Sequence, residues 1–183
     1  MTLAAFFGAA WAIGVASWFF AIVETIGMWR FWPWVYRSGL KIVDESIPNR
    51  PVLSQLGAAI DLPSVKGQIE SDQEVFFRVP FQLFSFKLHT PFPIKGSVIF
   101  SGNSARLVGR VPIGTVAFIA TWLVAWTIGG FMAVNTNTTI DATSFVLGGW
   151  AFVAAMVAIS LPIELHRIRK ARDALLLHLF KAA

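Results

Sequence analysis

The chain has no cysteine. That excludes disulfides, thiolate metal sites and a cysteine nucleophile. Charge is scarce as well: Asp, Glu, Lys and Arg make up 14% of the 183 residues, against about 25% in a typical globular domain. Phosphate-loop Gly-xxxx-Gly-Lys, Gly-x-Gly-x-x-Gly and His-x-x-x-His patterns are missing, which removes the commonest nucleotide and zinc signatures. None of His89, His166 and His178 falls within a long apolar run. Haem or chlorophyll ligation in mid-bilayer takes a ligand there, so no such cofactor is expected. No basic residue precedes the first apolar run, and the run is too long for a signal peptide.

What the chain does contain is apolar sequence in blocks. Apolar residues are 56% of the total, and three stretches carry no charged side chain: Leu3 to Val23, about Ile113 to Val134, and about Ser144 to Ile163. Each matches the roughly 20 residues a helix needs to cross a bilayer. Trp29, Arg30, Trp32, Trp34, Tyr36 and Arg37 follow the first stretch, a mixture suited to the interface. The expectation is a membrane α+β protein with three transmembrane helices.

The net charge of +5 would suggest nucleic acid in a soluble protein, but here topology explains it better. Of the fifteen basic residues, ten lie between the first and second spans and five follow the third, from Arg167 to Lys181. None lies between the second and third spans, where Asn135 to Thr143 is polar. Basic loops stay in the cytoplasm. The N-terminus is therefore expected outside, with residues 41–111 and the C-terminus cytoplasmic, in a bacterial inner membrane.

Residues 41–111 have a different texture. Val65–Ile69, Glu74–Val79, Leu83–His89, Gly96–Phe100 and Ala105–Val111 have period-two or β-rich character, and Pro, Gly and Ser-Asn punctuation separates them. They predict a small antiparallel β domain of four or five strands, a sheet or partial barrel, inserted between helices 1 and 2. A short helix is expected over Val52 to Ile60, between prolines. About 70 residues is near the lower limit for an independent core, so the domain should lean on other parts. Leu161, Leu165, Ile168, Leu175, Leu176 and Leu179 recur on one helical side, so that residues 164–183 predict a C-terminal basic amphipathic helix suited to headgroups or a partner groove. The organisation expected is thus 1–40, 41–111, 112–163 and 164–183.

Four sets of residues could carry function. Gly8, Ala12 and Ala16 in the first span, and Ala117, Thr121, Ala125, Gly129 and Ala133 in the second, recur every four residues. Such rows let helices approach closely in lipid, within the chain or with a partner. Trp11, Trp18, Trp122 and Trp126 lie inside spans although Trp prefers the interface; they are core bulk or the walls of a site for a lipid tail, quinone or carotenoid. Arg30, Arg37, Arg167, Arg169, Lys170 and Arg172 are placed to meet headgroups. Glu24, the carboxylate nearest a span, is expected at the interface, snorkelling or paired with a basic residue.

Asp44-Glu45 and Glu70/Asp72/Glu74 could form carboxylate pairs, but no nucleophile or histidine is tied to them by spacing. No catalytic, metal or cofactor residues are expected. The function this pattern favours is a non-catalytic accessory, scaffold or assembly subunit of a larger membrane protein complex. Its partners would be other membrane subunits and lipids, not nucleic acid. The alternatives are a lipid-binding or lipid-sensing membrane protein with a basic β domain, and an auxiliary transporter subunit.

Overall fold

The computed structural model describes residues 3–48, 57–80, 93–101, 104–134 and 141–181. Helix α1 spans Leu3–Trp29 and the short α2 spans Pro33–Arg37. Six strands follow: β1 Leu40–Pro48, β2 Ala59–Leu62, β3 Val65–Ser71, β4 Glu74–Arg78, β5 Lys95–Ser101 and β6 Ser104–Val111. Helices α3, Ile113–Val134, and α4, Ala142–Lys181, complete the chain. Three helices, α1, α3 and α4, are long and apolar enough to cross a membrane. In water their exposed surfaces would be untenable: Trp11, Phe19, Val124, Phe131, Leu147 and Phe152 all face outward.

The ends of α1 and α2 are locally encoded. Phe31 takes a left-handed conformation (φ 54°), uncommon for a residue with a side chain. The Trp32 N–H then returns to the Gly27 carbonyl at 2.9 Å, the long-range bond of a Schellman stop. Pro33 opens α2 at a position that needs no N–H. Gly27 is what lets α2 fold back, because a Cβ there would meet Val35 Cγ2 at 2.5 Å.

The strands form one open antiparallel sheet in the order β1-β6-β5-β4-β3-β2. Among the described residues there are six strands rather than four or five. The first, β1, was not anticipated: a register shift between Lys41 and Val43 interrupts its alternation. The second, β2, occupies the end of the segment expected as a helix, where Ile60 pairs with Gly67; the start of that segment lies outside the described residues. So does the strand expected at Leu83–His89.

Alternation gives the sheet two buried faces. Val43, Ile69, Val75, Phe77, Leu107 and Val111 pack on one side with Ile168, Ala171, Leu175 and Leu179 of α4. Gly96 makes room there for the Phe77 ring. On the other side Phe76 stacks on Tyr36 of α2 at 4.7 Å between centroids, and Lys95 and Ser97 are buried.

The basic tail is therefore not a separate helix. It continues the third span through Pro162 as one 40-residue helix, about 60 Å long and twice the thickness of a hydrocarbon core. Its apolar stripe is covered by the sheet rather than left for headgroups or a partner groove. Burying each large side chain of that stripe contributes roughly 1.5–3 kcal/mol, which supplies the support the small sheet requires.

Candidate functional site

Two features dominate the helical layer: a buried ionic joint where helices meet sheet, and an apolar groove above it. The joint centres on Glu24, in the penultimate turn of α1 and fully buried. Its Oε1 accepts from Lys95 Nζ at 3.2 Å. The same carboxylate accepts the Ile113 N–H at 3.2 Å and the Gly114 N–H, the first free donors of α3. An anion at a helix N-terminus satisfies orphan N–H groups and complements the macrodipole. Lys95 is itself fully buried and also reaches Ser38 Oγ at 3.4 Å. Burial pulls its ammonium below the ordinary lysine value, and Glu24 opposes that shift. Of the two expectations for Glu24, snorkelling or pairing, the fold provides pairing, with a partner 71 residues away.

Gly114 makes this geometry accessible. A Cβ there would lie 2.7 Å from the Ala21 backbone and 3.0 Å from Glu24 Oε2. At the other helix end, the Met28 carbonyl accepts from Tyr36 Oη at 3.0 Å and Arg78 Nε at 3.2 Å. A cation therefore meets the negative end of α1 while an anion meets the positive end of α3. Burial pushes the Tyr36 phenol well above its usual range. Arg37 closes the periphery with Glu74 at 2.8 Å. Lys95, Gly114 and Ser38 carried no local sequence signal for these roles.

The groove lies between α1 and α3. It is an open groove of about 670 Å³, lined by Trp11, Gly14, Trp18, Phe118, Thr121, Trp122 and neighbouring alanines. Three of the four singled-out tryptophans are thus brought together. Trp126 instead stacks on Trp122 at 4.9 Å and donates to the Phe145 carbonyl at 2.9 Å, tying α3 to α4. Trp150 donates to Thr127 Oγ1 at 3.0 Å. Among the described residues, nothing accepts from the indole N–H of Trp11, Trp18 or Trp122.

The small-residue rows divide. Thr121 and Ala125 line the groove, Ala117 is half-buried, Gly129 is buried, and Ala133 lies in the last turn of α3. The α3–α4 approach depends on two other glycines: a Cβ on Gly130 would meet Val146 at 2.5 Å, and one on Gly149 would collide with Trp126. Gly8, Ala12 and Ala16 are all exposed, and a Cβ on Gly8 would meet nothing within 4 Å.

The headgroup candidates also divide. Arg167 pairs with Glu164, Arg169 and Arg172 pair with Glu45 of β1, and Arg172 also pairs with Asp173. Arg30 and Lys170 are exposed, with no ion pair among the described residues. Within those residues no group of three His, Asp or Glu side chains could hold a metal ion. No protein-family model, curated protein or solved structure matches the chain.

Proposed function

We propose that the chain is a non-catalytic integral membrane subunit, an accessory, scaffold or assembly component of a larger membrane protein complex. The observation that carries this reading is the pair of small-residue faces left open on the outer helices. On α1 these are Gly8, Ala12 and Ala16; on α4, Gly148, Ala151 and Ala155. Open space also surrounds the Gly148 Cβ position. Lipid tails are as apolar as Leu, so small faces confer no advantage toward lipid but allow close backbone approach by another helix. The ionic joint supports the same reading, because it couples the sheet stiffly to α1 and α3 and gives a partner a rigid scaffold.

The sheet and the basic end of α4 share one core and so lie at one end of the helices. Their basic residues support a reading with that end in the cytoplasm and the N-terminus outside, in a bacterial inner membrane. Labelling of a Ser101→Cys variant from outside would overturn this orientation. Mild-detergent extraction from native membranes, with quantitative mass spectrometry, tests the function. A stoichiometric integral membrane partner is expected, and a lone monomer carrying a defined lipid would favour the lipid-binding alternative instead. The groove is the observation that speaks for that second reading.

A further inference from the structure

Five cations stand in one row across the sheet. Lys41 is opposite Arg110, Arg110 opposite Lys95, Lys95 opposite Arg78, and Arg78 opposite Lys66. Directly opposed residues point to the same face. Arg78 stands two residues from Phe76, so this is the face that carries α2 rather than α4. The row crosses five of the six strands, about 19 Å at strand spacing. Like charges directly opposite one another are destabilising, and a row of five needs negative charge in front of it.

The protein supplies that charge in part. Lys95 is taken by Glu24, and the outer members Lys41 and Lys66 meet Asp44 and Asp61. Asp44 is shared with Arg106. Arg110, beside Lys95 in the row, has no carboxylate within ion-pair distance among the described residues. Its Nη1 donates to the Tyr36 carbonyl at 3.3 Å and to Ser97 Oγ at 3.4 Å. Burial disfavours its charge, and the more distant Glu74 and Asp44 oppose that only in part. A half-buried guanidinium in this state suits a phosphate, which it holds through two parallel N–H bonds.

Position decides which phosphate. The row lies at the end of the sheet from which the spans depart: Arg110 is three residues before α3, and Arg78 Nε donates to the Met28 carbonyl of α1. Met28 is four residues beyond Glu24, where the charge-free run has ended, about 6 Å further along the axis. The headgroup layer on each side of the hydrocarbon is about 5–7 Å deep. The half-exposed Trp29, beside Met28, marks the same level, as indoles do at the interface. The row is therefore held among lipid headgroups, and the bilayer keeps a bulky nucleic acid from reaching it.

We propose that this row is a binding surface for anionic phospholipid in the leaflet on the sheet's side, with Arg110 holding the lipid phosphate and Lys41 and Lys66 widening the patch. The assignment goes beyond the subunit reading and does not depend on it.

Native mass spectrometry of the full chain, released from micelles titrated with phosphatidylglycerol or phosphatidylcholine of the same acyl chains, tests this. Phosphatidylglycerol adducts are expected about tenfold tighter, weakening as salt rises. Arg110→Gln should reduce that preference about fivefold, the effect of one basic residue near an anionic surface. Lys41→Gln combined with Lys66→Gln leaves the centre of the row intact, and should reduce it by at least about threefold with the unfolding midpoint retained. Lys170→Gln removes an exposed charge from α4, on the other side of the sheet, and should change nothing. Equal affinity for phosphatidylcholine, displacement by inorganic phosphate at comparable concentration, an equal loss in Lys170→Gln, or an undiminished preference in both row variants would overturn the assignment. A co-purifying protein that shields Arg110 and blocks the adduct would give the row to a partner instead.

Discussion

Neutralising one member of the Glu24–Lys95 pair should be far more damaging than neutralising both. Lys95→Met leaves a buried carboxylate with two backbone donors but no countercharge; Glu24→Gln leaves a buried ammonium facing a weak acceptor. Breaking a buried pair by removing one partner typically costs about 3–5 kcal/mol. The double variant Glu24→Gln/Lys95→Met removes both charges from a dry site, and the introduced glutamine still offers one carbonyl to the start of α3. Its loss should be only the weakened cap, about 1–2 kcal/mol. The double variant should thus fall short of the summed single losses by at least about 2 kcal/mol. Reversible unfolding at pH 7 in one detergent, run as a double-mutant cycle, measures this. Single losses below about 1 kcal/mol, or additivity within about 0.5 kcal/mol, would show that the joint is solvated and does not couple helix to sheet.

Gly114→Ala should cost about 1–3 kcal/mol by overpacking, since its Cβ strikes the Ala21 backbone; a cysteine cross-link between the flanking turns of α1 and α3 would form more slowly as they separate. Leu175→Ala should lose about 2–5 kcal/mol, with hydrogen exchange rising across β3 and β4, because the fully buried Leu175 side chain belongs to the sheet core. Asp141 caps α4 through the Ser144 hydroxyl and the N–H groups of Thr143 and Ser144, and these bonds hold its carboxyl below the usual range. A depressed carboxylate stabilises above its unfolded value, about pH 3.9, and that stability fades as pH falls further. Asp141→Asn should flatten this part of the acid-unfolding profile, and an unchanged profile would remove the cap from the account.

The helices were legible because each carries a charge-free apolar run long enough to cross a membrane. Glu24 did not end α1, because its charge is neutralised inside the protein by Lys95 rather than by water. The alternation in β3, β5 and β6 was visible since each strand has two distinct faces. β1 was not, because its bulge shifts the period and it lies at the sheet edge. The stripe of Ile168, Leu175 and Leu179 was evident, yet periodicity does not say what covers it, and the answer was the chain's own sheet. The tryptophans showed the same limit. Their presence inside spans was plain, whereas their division into a bonded pair on the α3–α4 side and an acceptor-poor set in the groove depends on how the helices cross. Gly130 and Gly149, which set the α3–α4 approach, belong to glycine pairs rather than to the four-residue rows on which packing was expected.

The subunit reading turns on whether the outward face of α1 is occupied in the native membrane. A photo-crosslinking residue at Ala16, activated in intact membranes, addresses this most directly. The account predicts one discrete adduct with an integral membrane protein that also co-purifies stoichiometrically, and loss of that adduct when Gly8→Leu blocks close approach. Adducts with lipid alone, or an adduct indifferent to Gly8→Leu, would contradict it.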